Sequence, residues 1–297
     1  MSHSVLTLDT RTKADPRYGF FTDTSICIGC KACEVACKEW NQVPEDMQGF
    51  TGKSYDNTQA LGANTWRHVA FVEQRVPVGQ EAAAGDLVQA AERANASDGW
   101  GLDTYQDGEG IRWLMASDVC KHCTTAACLD VCPTGALFRT EYGTVVVQED
   151  ICNGCGYCVP ACPFGVIDRR EDDGRVWKCT LCYDRLRDDM EPACAQACPT
   201  HSIQFGELGE LRERAEKRLE RMTAAGQTEA RLYGADPEDG VDGFGAFFLL
   251  LDEPEVYGLP PDPVVTTRDV GQVWAGVLAG AVALGAGIAA AVFGGGK

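Results

Sequence analysis

The sixteen cysteines are the residues of this sequence most able to do chemistry, because thiolate sulfur is a strong ligand for soft transition metals. They form four groups of four, and each group begins with a C-x2-C spacing and ends with a C-x3-C spacing. The groups are Cys27, Cys30, Cys33 and Cys37, then Cys120, Cys123, Cys128 and Cys132, then Cys152, Cys155, Cys158 and Cys162, and finally Cys179, Cys182, Cys194 and Cys198. Proline follows three of the four groups directly. The chain therefore contains an internal repeat of a thiol site.

The repeated spacing is the one that bacterial ferredoxins use for iron–sulfur clusters, in which the fourth cysteine binds the other cluster of a pair. Three thiolates on one tight loop can bind three corners of an iron–sulfur cube. The fourth thiolate, at the start of the next helix, points away and must serve a neighbouring cube. Proline suits that first helical position because no backbone N–H is needed there. Four such groups predict two pairs of cross-linked [4Fe–4S] clusters.

Two other uses of cysteine fit the pattern less well. A disulfide framework is disfavoured because a C-x2-C-x2-C loop crowds thiols too densely for good disulfide geometry, and a chain of 297 residues can bury a core without covalent cross-links. Structural zinc would use the C-x2-C pairs, but it would not need a third and a fourth cysteine in every group.

The spacing leaves open which groups share clusters. Groups two and three are separated only by Pro133 to Ile151, a stretch that contains the strand-like run Gly143 to Val147, and they could form a compact ferredoxin. Groups one and four would then be the two halves of a second ferredoxin, split by an insertion. Spacing alone would also permit pairing of groups three and four, across Pro163 to Lys178.

Composition limits the class of protein further. Hydrophobic residues make up 45% of the chain and charged residues 24%, which is typical of a globular protein and excludes disorder and a polytopic membrane protein. The net charge of −18 repels phosphate backbones and argues against nucleic-acid binding.

The remaining segments must position the thiol groups. Residues 1–20 carry no secretory or twin-arginine signal. The stretch between the first two cysteine groups predicts strands at Trp66–Pro77 and Ile111–Ala116 around an alanine-rich helical piece near Ala82–Ala94. Glu207–Met222 has the apolar spacing of an amphipathic helix. Residues 232–267 contain eight acidic and no basic residues, which predicts a loop-rich extension lying on a partner or on the surface of the body.

The C-terminal segment predicts a membrane anchor. Val270 to Gly296 is free of charged residues, and about 20 residues of helix suffice to cross a hydrocarbon core of ~30 Å. Gly276 and Gly280 give the segment a small-residue spacing at which another helix could pack. The segment contains no histidine, so any haem in the membrane must be held by another subunit.

With these motifs established, the chain resembles the iron–sulfur (beta) subunits of membrane-bound respiratory formate dehydrogenases, which belong to the four-cluster electron-transfer subunits of molybdopterin oxidoreductases. Coverage is nearly end to end. The stretches that carry the resemblance are Cys27-Ile-Gly-Cys-Lys-Ala-Cys33 with Cys37-Lys-Glu-Trp-Asn41, Cys152-Asn-Gly-Cys-Gly-Tyr-Cys158 with Cys162-Pro-Phe164, Lys178-Cys-Thr-Leu-Cys182, Glu191-Pro-Ala-Cys194, Cys198-Pro-Thr200 and Tyr257-Gly-Leu-Pro-Pro-Asp-Pro263.

The resemblance implies a ligand assignment in four sets, which we call sets a to d. Set a is Cys27, Cys30, Cys33 and Cys198; set b is Cys37, Cys179, Cys182 and Cys194; set c is Cys120, Cys123, Cys128 and Cys162; and set d is Cys132, Cys152, Cys155 and Cys158. Nitrate reductase relatives replace one ligand by tryptophan, whereas every expected position here is cysteine. Lys31, Lys121, Lys178 and His122 lie beside ligands and could raise individual cluster potentials, although ordinary solvation explains them equally well.

The resemblance also implies a fold. We expect an α+β protein with two bacterial-ferredoxin-like modules, one inserted into the other, and a single C-terminal transmembrane helix. The corresponding divisions are an iron–sulfur body at 18–206, a helix and acidic extension at 207–267, and an anchor at 270–294. Within the body, 18–40 and 168–206 form the split module, 41–110 the insertion, and 111–167 the inner module.

The expected function is electron transfer without catalysis. The histidines His3, His68, His122 and His201 are scattered, and no nucleophile–base motif occurs. Formate oxidation is therefore expected in a molybdenum or tungsten pterin (alpha) subunit, with a membrane cytochrome b (gamma) subunit passing electrons to quinone. The body is expected on the extracytoplasmic side of the cell membrane, exported with its partner. The alternative is the anchored iron–sulfur subunit of a nickel–iron hydrogenase or of another molybdopterin oxidoreductase.

Overall fold

The computed structural model describes residues 16–45, 56–77 and 109–293. The strands are β1 (Tyr18–Asp23), β2 (Arg67–Pro77), β3 (Glu109–Val119), β4 (Leu137–Arg139), β5 (Val145–Val147), β6 (Asp168–Arg169), β7 (Val176–Trp177), β8 (Ile203–Glu207), β9 (Arg231–Tyr233) and β10 (Ala246–Leu250). The α-helices are α1 (Ala32–Asn41), α2 (Ala127–Asp130), α3 (Cys158–Ala161), α4 (Tyr183–Arg187), α5 (Ala193–Gln196), α6 (Leu208–Ala224) and α7 (Val270–Phe293). The mixed helix and strand content confirms the α+β class.

A four-stranded sheet of order β8-β1-β10-β9 forms the centre of the body. β8 pairs antiparallel with β1, and β10 pairs parallel with the other edge of β1 so that Phe20 lies opposite Ala246. All five residues of β10 are fully buried. Phe247 stacks on Phe21 of β1 with the ring centroids 5.3 Å apart. The sheet therefore joins the N-terminal strand to a segment from the end of the body.

This sheet corrects the expectation for residues 232–267, which are not simply a loop-rich extension on the surface. They contribute β10, which lies in the core beside β1. The five consecutive apolar residues Ala246–Leu250 form the short unbroken run that is typical of a strand buried on both faces. Because glycines, prolines and acids dominate the composition of residues 232–267, that composition does not indicate the strand.

Each cysteine group lies between strands, which explains how short loops hold it in place. β1, β3, β5 and β7 each end shortly before the first cysteine of a group. β4, β6 and β8 begin shortly after the Cys-Pro pairs. β4 pairs with β5 and β6 with β7 as small antiparallel hairpins. The strands thus fix both ends of the cysteine loops, while the limits of the two expected ferredoxin modules stay a prediction.

A long antiparallel hairpin of β2 and β3 packs along the cysteine loops. Its register runs from Arg67 opposite Val119 to Pro77 opposite Glu109. Both strands occur where the sequence predicts them, although β3 is longer than the predicted Ile111–Ala116. The helical piece predicted near Ala82–Ala94 lies outside the described residues. Because β3 ends directly before Cys120, the hairpin brings its side chains against the thiols.

Two helices follow the sequence pattern closely. α6 buries Leu208, Leu211, Ala215 and Met222 against the sheet, which confirms the predicted amphipathic helix. α7 is long and apolar enough to cross a membrane, with a mean hydropathy of 1.6 over Val270–Ala289 and none of that stretch buried against the body.

Truncating Phe247 to alanine is expected to destabilise the body strongly. The side chain is fully buried and stacked on Phe21, so the substitution removes apolar contacts and leaves a cavity, at a cost of about 3–5 kcal/mol. Guanidinium unfolding of the detergent-solubilised protein should show a lower midpoint. Lys217→Ala, at a side chain that is 72% exposed, serves as the control and should change the free energy of unfolding by no more than about 0.5 kcal/mol. Equal midpoints for the two variants would contradict the assignment of β10 to the core.

Candidate metal centres

The thiols of set a line one cavity. Cys27 and Cys30 come from the segment after β1, Cys33 from the first turn of α1, and Cys198 from the loop before β8. Burial raises the pKa of the Cys27 thiol, and the thiolates of Cys198 and Cys30 contribute in the same direction. Cys30 is exposed, whereas Cys33 is buried with its Sγ 3.2 Å from the Ser117 Oγ. Residues from the two ends of the iron–sulfur body therefore form one site.

The thiols of set b form a fully buried group. Burial raises the pKa of the Cys37 thiol well above its ordinary value, and the thiolates of Cys179, Cys194 and Cys182 raise it further. The Asn41 side-chain amide lies 3.7 Å from the Cys37 sulfur and 3.8 Å from the Cys182 sulfur. The last turn of α1 thus supplies a polar contact to two thiols of the set.

The thiols of set c surround a second cavity, formed by Cys120, Cys123, Cys128 and Cys162. Burial raises the pKa of the Cys123 thiol well above its ordinary value, and the other three thiolates of the set raise it further. The rest of the cavity wall is largely apolar, with alanine, valine and isoleucine side chains. A largely apolar cavity lined by four thiols has the donor set of an iron–sulfur cluster.

The thiols of set d lie around Cys158. Burial raises the pKa of that thiol to about 12, and the thiolates of Cys132, Cys155 and Cys152 contribute to the increase. The hydroxyl of Thr134 lies 3.7 Å from the Cys132 sulfur. Like Cys30 of set a, Cys155 is exposed.

The four sets follow one another in a row. Beyond burial, which is the largest cause in each case, single thiolates of one set also raise pKa values in the next. The pairs are Cys33 of set a with Cys194 of set b, Cys179 of set b with Cys120 of set c, and Cys128 of set c with Cys158 of set d. These interactions connect set a to set b, set b to set c and set c to set d, and the exposed cysteines belong to sets a and d.

The same backbone turn recurs in all four C-x2-C loops. The residue before the second cysteine has a left-handed conformation, with φ of 62° at Gly29, 44° at His122, 71° at Gly154 and 59° at Leu181. Two of these residues are not glycine, and such conformations are uncommon and costly for side chains. Left-handed residues let successive N–H groups form a concave surface that binds anions. This backbone suits a thiolate-bound, negatively charged cluster.

The thiol groups do not suit a single metal ion. Across residues 16–45, 56–77 and 109–293, no three His, Cys, Asp or Glu side chains converge closely enough to hold one ion. A zinc site would place its ligands about 2.0–2.3 Å from one point. The residues therefore fit the larger [4Fe–4S] group better than they fit zinc.

Two of the lysines beside ligands are fully buried, so solvation does not explain them. The Lys121 ammonium donates to the Asp118 carboxylate and, at 3.0 Å, to the Val119 carbonyl. The Lys178 ammonium donates to the carbonyls of Val145 and Cys179. Both lysines act on thiols of set c. Lys121 lowers the pKa of the Cys123 thiol, and Lys178 lowers the pKa of the Cys128 thiol. In each case burial raises the pKa by more than the lysine lowers it.

Lys31 and His122, the other two residues beside ligands, differ from these buried lysines. Lys31 is partly exposed and pairs with Glu34 at 3.3 Å. His122 is buried, and burial together with the charge of Lys178 holds its pKa well below the ordinary value. Its Nδ1 accepts a hydrogen bond of 3.1 Å from the Val145 N–H. Burial therefore disfavours the charged form of His122, and its effect on a cluster potential stays a prediction.

Arg67 and Ser117 contact the thiols, although the sequence pattern does not indicate either of them. The Arg67 guanidinium donates to the Cys194 sulfur at 3.2 Å and is fully buried. Both residues belong to the β2–β3 hairpin, whose sequence carries no recognisable chemical motif. An arginine or a serine on a predicted strand gives no local signal, since nothing in the spacing shows which face meets the thiols.

Comparison with known proteins identifies the kind of site. The model of the 4Fe-4S dicluster domain family matches residues 111–208. The chain is 38% identical over 260 residues to the iron–sulfur subunit of the nitrate-inducible formate dehydrogenase of Escherichia coli (strain K12), an alignment that covers 86% of this chain and 76% of the relative. It is 37% identical over 271 residues to the formate dehydrogenase iron–sulfur subunit of Haemophilus influenzae, covering 88% and 76%. The B subunit of the anaerobic dimethyl sulfoxide reductase of E. coli is 33% identical over 198 residues, covering 67% and 77%.

Proposed function

Because this chain belongs to the family of iron–sulfur subunits of molybdopterin oxidoreductases, we propose that it relays electrons from a formate-oxidising catalytic subunit to a membrane cytochrome b. It is an electron-transfer subunit rather than a catalytic one, and its cofactors are [4Fe–4S] clusters. The catalytic partner is of the molybdopterin type, while formate as its substrate and the cytochrome are the proposed refinement. The observation that carries the proposal is the row of four thiol sets in a chain so similar to formate dehydrogenase subunits.

We assign one cluster to each of the sets a to d. The assignment is supported by the cavities that sets a and c line and by the mutual effects of the thiols in sets b and d. A [4Fe–4S] cluster, when bound, takes up and releases one electron at a time. The chain holds the thiols in place, buries those of set b, and supplies the N–H groups and cations that tune each site.

The order of the sets gives the proposed pathway two ends. At set a, Cys30 is exposed beside Ile28, which is 52% exposed, and Val35, which is 61% exposed. At set d, Cys155 is exposed beside Tyr157, which is 63% exposed. Exposed apolar side chains around an accessible ligand are typical of a surface that a partner covers. Electrons would enter at one end and leave at the other.

The membrane anchor indicates which end serves which partner. The hydroxyl of Thr266 donates to the carbonyl of Ala161 in α3, and that of Thr267 donates to the carboxylate of Asp130 in α2. These two helices carry Cys158 of set d and Cys128 of set c. Set d therefore faces the bilayer and the cytochrome in our proposal, whereas set a receives electrons from the catalytic subunit.

The side of the membrane follows from family resemblance only. Arg268 and Lys297 flank the apolar segment, one on each side. We propose that the body lies outside the cytoplasm. Protease should then digest it in cells with a permeabilised outer surface, and digestion restricted to inverted vesicles would contradict this orientation.

The proposal is tested on the native complex, purified anaerobically through a tag on this chain. We expect about 16 iron and 16 sulfide per chain, since each [4Fe–4S] cluster takes four cysteines, and we expect formate to reduce the clusters. Reduction by hydrogen instead would indicate a hydrogenase complex, and reoxidation by dimethyl sulfoxide would indicate a reductase. Zinc in place of iron would contradict the electron-transfer function altogether.

A further inference from the structure

Arg67 connects sets a and b through its guanidinium. One nitrogen, Nη2, lies 3.2 Å from the Cys194 sulfur of set b. The other, Nη1, lies 3.2 Å from the Ser117 carbonyl and 3.4 Å from the Ser117 hydroxyl. That hydroxyl lies in turn 3.2 Å from the Cys33 sulfur of set a. A single side chain from the β2–β3 hairpin thus links a ligand of one set to a ligand of the next.

The position is costly for a cation unless anions surround it. Arg67 is 1% exposed, and desolvating a charge without a partner is strongly unfavourable. Arginine stays protonated in proteins, and the thiolates of Cys194, Cys33, Cys179 and Cys37 favour the charged form of Arg67 against the effect of burial on its pKa. The guanidinium also lies over the Phe20 ring, 4.9 Å from its centroid, which holds it in place. Its counter-charges are therefore the ligands of two different sets.

We propose that Arg67 is a positioning residue that raises the reduction potentials of the clusters in sets a and b and lets both be reduced together. This inference rests on the proposed cluster-bearing function. Each one-electron reduction adds a negative charge to a cluster without a proton, and a fixed cation in a low-dielectric interior stabilises the added charge. Because Arg67 lies between the two sets, it also offsets the repulsion between two reduced neighbours.

The effect of Arg67 on reduction potentials should be confined to the clusters of sets a and b. The buried cations that act on set c are Lys121 and Lys178, on different elements from Arg67. Ser117 serves only one side of the link, because its hydroxyl approaches Cys33 of set a. Substitution of Arg67 is therefore expected to change the potentials of sets a and b, and substitution of Ser117 that of set a alone.

The test is a potentiometric titration of the purified complex with dithionite as the one-electron reductant, followed by electron paramagnetic resonance. The variants are R67M, R67K and S117A, and the signals of sets a and b are identified as those that Cys27→Ala and Cys37→Ala remove. R67M should lower the ratio of reduced to oxidised cluster at a fixed potential about tenfold for both sets, which is 59 mV for a one-electron couple. R67K keeps the charge and should shift the ratio by less than about threefold. Sets c and d should not change.

S117A should lower the ratio about threefold for set a alone, the order of one hydrogen bond. If R67M fails to bind its iron, S117A and R67K still test the proposal. An S117A protein with unchanged potentials contradicts the link from Arg67 through Ser117 to Cys33. Equal shifts in R67M and R67K would show that Arg67 acts by packing and not by charge, and shifts in all four clusters would show a general disturbance. Both results overturn the proposal. Wild-type protein without cubane signals would instead contradict the proposed function.

Discussion

Cys198→Ala is expected to remove one cluster. Adding Cys27→Ala to the same chain is expected to remove no further cluster. Both thiols line the cavity of set a, so either substitution takes away a ligand of the same cluster. Cys198→Ala combined with Cys37→Ala should instead remove two clusters, because Cys37 lies among the thiols of set b. Iron should fall from about 16 per chain to about 12 in the first double variant and to about 8 in the second.

Iron analysis and spin quantitation of anaerobically purified protein measure this result. Thr200→Ala is a suitable control, since the Thr200 hydroxyl lies 3.8 Å from the Cys198 sulfur without being a ligand, and it should leave the iron content unchanged. If groups three and four shared clusters, Cys198→Ala and Cys27→Ala would act on different clusters and their losses would add. That additivity would refute the crossed assignment of groups one and four.

Deleting residues 270–297 is expected to move the chain from the membrane fraction to the soluble fraction. The deleted helix presents an apolar stretch, Val270–Ala289, that makes no buried contact with the body. At 1.5 Å per residue it matches a hydrocarbon core of ~30 Å. The body has its own core in the sheet around β1, so its iron content should be retained.

Cell fractionation with carbonate-washed membranes, followed by detection of the chain and of its iron, measures this second effect. Leu284→Ala is the matched control, because it changes one exposed apolar residue but leaves a charge-free helix, and it should stay in the membrane fraction. Retention of the truncated chain in washed membranes would contradict an anchor at α7 and would show that a partner subunit holds the body there.

The parts of the structure that depend on local pattern can be predicted from the sequence. α6 buries Leu208, Leu211 and Ala215 as the apolar spacing requires, and α7 follows the long charge-free segment. The two strands between the first two cysteine groups are predicted as well, since β-branched and aromatic residues are concentrated there. In each case neighbouring residues carry the whole signal.

The parts that depend on contacts between distant segments cannot be predicted in the same way. β10 is a five-residue run among acids and glycines, and only its pairing with β1 explains its burial. Arg67 contacts Cys194, which lies 127 residues later in the sequence, and nothing in the sequence around either residue indicates this contact. Lys121 and Lys178 are recognisable by their positions beside ligands, but their burial depends on the packing of the sheet. Long-range geometry thus decides which charges lie against the thiols.

The parallel pairing of β1 with β10 has a consequence for biogenesis. Thr24, just before the first cysteine, donates a hydrogen bond to the carbonyl of Leu249, which is 225 residues later in the chain. The ribosome must therefore synthesise most of the polypeptide before the N-terminal thiol loop acquires its finished surroundings. The packing around set a is therefore expected to be complete only after Cys198 and β10 have been made.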